Sequence, residues 1–139
     1  MNVKFVIAGV AGFLISLLGG FLFHGILLHA DYAQLGPAMM RTDADAQGYL
    51  PFMLVSHLIK GFAFVWIYTK GVTPGASGLS QGLKFGIATV FLVPIPLYLV
   101  YYAVEPMPGM LVAKQIVFDS ITMILMGLVV GLIKPSAAK

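Results

Sequence analysis

The side chains best suited to chemistry in this sequence are histidines and a lysine that stand within apolar stretches. His24 lies in "GGFLFHGILLHADY", and His57 and Lys60 lie in "SHLIKGFAFVW". Imidazole nitrogens bind haem iron or divalent metals and exchange protons near neutral pH. A lysine among so many apolar residues needs a partner or a functional reason, because burying its charge is costly. These residues therefore mark the candidate site.

His24 and His57 are predicted to lie at similar depths in two neighbouring helices that form an antiparallel hairpin. Such a pair fits a haem iron or, together with Asp119 or Glu105, a divalent metal. The pair also suits the relay of protons to a quinone or another amphiphile. Histidines that are merely hydrogen-bonded within a helix bundle fit the same pattern, so a structural role stays open.

Lys60 stands ten residues into the second apolar segment, and this places it about 15 Å deep at the helical rise per residue. Asp119 is predicted to lie at a similar depth in the fourth segment. We expect the two to form an ion pair, which lowers the cost of burying both charges. The pair would either take part in binding a ligand or fix the register of the helices. A further alternative is an enzyme for lipid or quinone head groups, with His57 as acid–base and Lys60 or Tyr98 stabilising negative charge.

The remaining polar residues collect near one end of the predicted helices and complete the candidate site. The candidate ligand-binding residues are His24, His57, Lys60, Tyr98, Tyr102 and Asp119. The candidate residues at the mouth of the site are His29, Asp31, Glu105 and Lys114. No catalytic residues are assigned. Together these positions predict a polar chamber that opens toward one face of a membrane.

Four apolar segments carry these residues, and each is long enough to cross a bilayer as a helix. About 20 helical residues span a hydrocarbon core of about 30 Å. The segments are Phe5–Leu28, Leu50–Tyr68, Leu83–Val104 and Met110–Ile133. They predict an all-α, integral-membrane four-helix bundle. We expect a single transmembrane domain over residues 1–139, with an outer loop at residues 30–49.

The composition agrees with membrane insertion. Of the 139 residues, 60% are hydrophobic and 9% are charged, whereas soluble domains carry about 25% charged residues. The absence of cysteine excludes disulfides, thiolate zinc sites and a cysteine nucleophile. The net charge is only +3 and the lysines are scattered, so we expect no nucleic-acid partner. The first apolar run is too long for a signal peptide and is predicted to be a retained span.

The distribution of basic residues predicts the orientation. Lysines concentrate on one side of the predicted bundle, at Lys4, Lys70, Lys84, Lys134 and Lys139. The other side carries Arg41 and Lys114. Because basic flanks remain in the cytoplasm, both termini are predicted to be cytoplasmic and the 30–49 loop to face outward.

Small residues recur at four-residue intervals in the predicted inner halves of the spans. They include Ala8, Gly12 and Ser16 in the first span, Gly82 and Gly86 in the third, and Gly127 and Gly131 in the fourth. Such spacing favours close helix packing in lipid. Polar and aromatic residues follow in the outer halves, so we expect the helices to diverge there around the chamber. Pro94 and Pro96 are predicted to interrupt the third span.

The stretch "GGFLFHGILLHADY", followed by a polar loop and "HLIKGFAFVWIY", resembles small uncharacterised four-span membrane proteins of bacteria. The resemblance covers most of the chain in layout and implies placement in the bacterial inner membrane. It implies no activity and no site residues.

The sequence as a whole favours a non-enzymatic membrane protein that binds a small amphiphile or ion in an outward-facing chamber, or serves as an accessory subunit. Its expected partners are the lipid bilayer and either further copies of itself or a larger membrane complex. The alternative is a haem- or metal-binding redox protein that uses His24 and His57.

Overall fold

Four long apolar helical spans make up most of this protein in a computed structural model, which describes residues 2–136. The spans are Val3–Leu27, Asp43–Lys70, Gly78–Val104 and Gly109–Ile133, and each is long and apolar enough to cross a membrane. The described residues contain no strand. These helices confirm the all-α four-helix bundle, and the protein is a multispan helical membrane protein. Lys139, which contributed to the predicted orientation, lies outside the described residues.

The first span changes its helical geometry near its end, and a partly helical loop follows it. Helix α1, Val3–Gly20, begins at Asn2, whose side chain accepts a hydrogen bond from the Lys4 backbone N–H at 3.0 Å. The chain then continues as a π-helix, Phe21–Leu27. Two short helices occupy the loop: α2, His29–Ala33, and α3, Asp43–Ala46. A 3₁₀ turn, Gln47–Tyr49, leads into α4, Leu50–Lys70.

The third span is broken into two helices where the prolines lie. Helix α5, Gly78–Leu92, ends at Val93, and α6, Pro94–Val104, begins directly after it. Pro94 has no backbone N–H to continue the ladder, and Val93 departs from regular helical geometry with φ −117° and ψ −78°. The predicted interruption is therefore confirmed. Helix α7, Gly109–Ile133, forms the fourth span without a break.

Glycines bring the helix backbones into direct contact. Helix α5 packs along α7, and α1 packs against both α4 and α7. A Cβ atom on Gly82 would overlap the carbonyl oxygen of Gly127, and one on Gly61 would overlap the backbone of Phe13. Only glycine fits at such crossings, so the predicted close approach is confirmed at these two places.

The apolar core lies in the half of the bundle that is remote from the 30–49 loop. It includes Val65, Met126 and Val130, all fully buried. Phe64 and Tyr68 of α4 set their ring edges against Phe85 of α5, at centroid distances of 4.7 and 5.5 Å. At the same end of the molecule, the side chains of Asn2 and Ser136 are hydrogen-bonded. The two ends of the described chain therefore lie together, opposite the loop.

Candidate functional site

His24 occupies the middle of the π-helix that ends the first span. In this segment the Leu28 backbone N–H donates to the Phe23 carbonyl, five residues back, at 2.8 Å. A π-helix is wound more loosely than an α-helix and is frequent at functional sites. A π-helix has more residues per turn than an α-helix, so the His24 side chain points in a different direction from the one that a continued α1 would give it. Its ring is thereby directed toward the fourth span and toward α2.

A continuous series of hydrogen bonds joins five side chains from four helical segments; we call Gln115, Tyr32, His24, Asp119 and Tyr98 the polar chain. The Gln115 amide donates to the Tyr32 hydroxyl at 2.9 Å. The Tyr32 oxygen lies 2.6 Å from Nδ1 of His24, and Nε2 of His24 lies 2.9 Å from Oδ1 of Asp119. The Tyr98 hydroxyl donates to the other Asp119 oxygen at 2.6 Å.

These contacts assign the proton positions along the polar chain. Tyr32 accepts from Gln115, so its own hydrogen is available to Nδ1 of His24. Nε2 of His24 donates to Asp119, because a carboxylate oxygen can only accept. Burial, the largest effect, raises the pKa of the Tyr32 phenol above its ordinary value, although the Gln115 hydrogen bond opposes it. Tyr32 therefore remains a donor at neutral pH.

His57 is held separately from the polar chain. Its Nδ1 lies 2.7 Å from the hydroxyl oxygen of Ser16. Ser16 is 1% exposed, and its hydroxyl has no other acceptor among residues 2–136, so the hydroxyl donates to Nδ1. The proton of the neutral ring is then on Nε2. The ring lies over Gly20, where a Cβ atom would approach Cε1 to 3.0 Å.

The expected ion pair between Lys60 and Asp119 is wrong. Both oxygens of Asp119 are engaged by His24 and Tyr98. The contacts between basic and acidic side chains found in the described part of the chain are His24–Asp119, Arg41–Asp45 and Lys114–Asp31, and none includes Lys60. The Lys60 side chain is half-buried, and its ammonium group lies near enough to act electrostatically on His57 and Asp119. Similar depth put the two residues at one level but did not bring them into contact.

The residues predicted at the mouth are divided between two locations. Lys114 donates to both oxygens of Asp31, at 2.9 and 3.0 Å, and thereby ties α7 to α2. His29 is exposed at the start of α2. Glu105 and Tyr102 are exposed at the end of α6, and the Tyr102 hydroxyl lies beside Gly109. Tyr102 is therefore outside the polar chain.

A cavity of about 1170 Å³ lies between the first two spans and the 30–49 loop. Its walls are largely apolar, with Leu17, Phe21, Met39, Met40, Met53 and Leu54. Polar groups enter from His24 and Tyr32 of the polar chain, from His57, and from Arg41 at the loop. The sequence predicted a chamber among all four spans. The cavity is instead bounded by two spans and the loop, and Tyr98, Lys60 and Asp119 are not in its lining.

The geometry also bears on the alternative of a metal or haem site. Both ring nitrogens of His24 have hydrogen-bond partners, so ligation by this residue would require one of those bonds to break. His57 has Nε2 available. Within residues 2–136, no three His, Cys, Asp or Glu side chains are grouped as the ligands of one ion would be.

Three participants were not recognised as site residues from the sequence. Ser16 was interpreted only as a small packing residue, and Tyr32 only as part of the loop. Gln115 precedes Asp119 by four residues, a spacing that puts both on one face of α7. That spacing was a usable signal for Gln115, whereas Tyr32 required the fold of the loop.

Comparisons with models of protein families, with curated proteins and with solved structures gave no significant match. The functional interpretation therefore depends on the geometry of the cavity and of the polar chain.

Proposed function

We propose that this protein binds a small amphiphile, without catalysis, in the cavity between its first two spans and the 30–49 loop. The observation that carries the proposal is the cavity itself, with its volume of about 1170 Å³ and mainly apolar walls. Pockets for small molecules commonly measure about 300–1,000 Å³ and combine apolar walls with a few polar groups. The present cavity has room for a head group and part of an apolar tail.

An amphiphile suits this cavity better than a single ion does. Leu17, Phe21 and Met53 offer apolar surface, which an ion does not use. His57, Tyr32 and Arg41 supply the small number of polar contacts that orient a head group. The long apolar helices imply contact with the bilayer, from which such a molecule can enter.

Catalysis through the polar chain is disfavoured because its acid–base groups are committed to one another, whereas His57 keeps Nε2 available to the cavity. Tyr98 and His24 both donate to Asp119, and neither is presented to the cavity as a free acid or base. An enzyme acting through these groups would need to break the polar chain in each turnover. The polar chain is better suited to holding His24 and Tyr32 in place in the cavity wall.

Filling the cavity tests the proposal. Ala33 is exposed and lines the cavity, whereas Ala88 is exposed on α5 and does not. We expect Ala33→Trp to lower the amount of amphiphile that copurifies in mild detergent, measured by mass spectrometry of an organic extract. Ala88→Trp is the matched control and should leave that amount unchanged. Equal retention by both variants, with both folded, would contradict binding in this cavity.

A further inference from the structure

Some polar groups at the deep end of the cavity have hydrogen-bond partners, and others do not. His57 carries its proton on Nε2, since Nδ1 accepts from Ser16, and this N–H has no acceptor among residues 2–136. His57 lines the cavity. This N–H is open to the cavity, where water or a ligand can accept its proton. Among the apolar walls, a ligand oxygen that accepts this proton gains a directed contact.

Lys60 adds a positive charge beside His57. It follows His57 by three residues on α4, so the two side chains share one face of the helix. Its ammonium group has no ion-pair partner in the described part of the chain. It carries three N–H donors and no acceptor. Lys60 lies outside the cavity lining, so it contributes positive charge beside His57 and not a donor within the cavity.

Most acceptors around this end are already used; the exception is Oε1 of Gln115, which is buried without a hydrogen-bond partner and lies outside the cavity lining. Asp119 receives hydrogen bonds on both oxygens, and Nδ1 of His24 receives one from Tyr32. Asp31 accepts twice from Lys114. Asp119 and Asp31 lie outside the lining, and the carboxylate within it is Asp43, which is exposed in the loop.

We infer that the ligand is an amphiphile whose head group is rich in acceptor oxygens and poor in N–H and O–H donors, anchored by Nε2–H of His57 beside the positive charge of Lys60. Esters and quinone carbonyls share this chemistry, and either can be attached to an apolar tail. A head group that brings its own donors would leave His57 unpaired, and the carboxylates of Asp119 and Asp31 are already engaged. The inference rests on the proposed binding in the cavity and adds the class of ligand.

Two probes with the same tail test this class. Methyl dodecanoate has an acceptor-only head, and dodecylammonium has a donor-only head. Their binding to the purified, delipidated protein is measured by native mass spectrometry in one detergent. Each probe is compared between wild type and variants, so that differences in micelle partition cancel. His57→Leu removes the donor, His57→Gln retains an N–H donor at similar volume, and Lys60→Met removes the neighbouring positive charge.

We expect His57→Leu to weaken methyl dodecanoate binding by about five- to tenfold, the equivalent of one lost hydrogen bond to an otherwise unpaired donor. His57→Gln should stay within about twofold of wild type on the same reasoning. Lys60→Met should weaken the ester and not the ammonium probe. Equal losses in His57→Leu and His57→Gln, or equal losses for both probes, would overturn the assignment. Thermal unfolding of each variant in the same detergent shows that it is folded.

A wild-type measurement keeps the inference testable if a variant does not fold. Methyl dodecanoate should bind more tightly than dodecylammonium, and the copurified amphiphile should be an ester lipid or a quinone. Mass spectrometry of the extract distinguishes these two sources, and either supports the inference. Tight binding of dodecylammonium, or a copurified amine, would overturn the head-group class while the cavity proposal stands. Absence of binding by both probes would overturn both.

Discussion

Nε2 of His24 lies 2.9 Å from Oδ1 of Asp119, and this contact joins the first span to the fourth across 95 positions of sequence. Tyr98 donates to the second oxygen of Asp119, so the carboxylate also connects the broken third span. One acidic side chain thereby links three of the four spans. It also fixes the histidine that forms part of the cavity wall.

The link between His24 and Asp119 should be energetically coupled. We expect His24→Phe and Asp119→Leu each to lower the free energy of unfolding by about 1–3 kcal/mol, since each leaves a partly buried partner unsatisfied. The double variant should lose less than the sum, with a coupling energy of about 0.5–3 kcal/mol. Denaturation in mixed micelles measures the cycle. Strict additivity would show that the two side chains do not interact.

A matched ion pair on the loop provides the control for that cycle. Arg41 donates to Asp45 at 2.7 Å, but both side chains are about half exposed, at 52% and 51%. Solvent screens such pairs and weakens them. Arg41→Met with Asp45→Leu should therefore show little or no coupling under the same conditions.

Removing the charge of Lys60 should not harm the fold. Insertion scales place a lysine at the centre of a membrane helix at about 2.5–3.5 kcal/mol unfavourable. Lys60 has no ion-pair partner among residues 2–136 to offset that cost, so the thermal midpoint of Lys60→Met should equal or exceed that of wild type. Lys114→Met, which loses the contact with Asp31, should be mildly destabilised. A large loss in Lys60→Met would indicate a structural partner.

The contact between α5 and α7 should not tolerate a methyl group. A Cβ atom on Gly82 would overlap the Gly127 carbonyl oxygen. We expect Gly82→Ala to destabilise the protein by about 1–3 kcal/mol, because the helices must move apart. Gly71→Ala is the control, since a Cβ atom there meets nothing within 4 Å and the backbone φ is −112°. Similar thermal midpoints for the two variants would contradict the packing described above.

Cysteine labelling can determine the orientation, because the chain contains no native cysteine. The excess of lysines at one end predicts that the 30–49 loop faces outward. A membrane-impermeant maleimide should therefore label Ala44→Cys in intact cells. It should label Ala76→Cys, in the loop between α4 and α5, only after lysis. The reverse pattern would invert the topology.

The sequence was sufficient to predict the spans because hydropathy alone determines which segments reach across a bilayer. Pro94 and Pro96 likewise specified the break in the third span through the missing N–H groups. The partner of Asp119 could not be predicted in this way. Depth fixes only the level of a side chain, whereas its direction depends on helix rotation, and the π-helix changes that rotation for His24.

The cavity was only partly predictable for a related reason. Its deep polar residue, His57, was recognised from its type and depth. The walls contributed by Met39, Met40 and Arg41 depend on how the 30–49 loop folds back over the first two spans. That path is set by contacts such as Lys114–Asp31, which join residues distant in sequence. No local pattern encodes them.

Photolabelling with a dodecanoate that carries a terminal diazirine tests most directly whether the cavity holds an amphiphile. After irradiation in mild detergent, the labelled peptides are mapped by mass spectrometry. Labels should concentrate on the segment 17–57, which contains all the residues that line the cavity, and Ala33→Trp should reduce them while Ala88→Trp does not. Labels spread evenly over the exposed faces of α5, α6 and α7, and unaffected by Ala33→Trp, would contradict the proposed function.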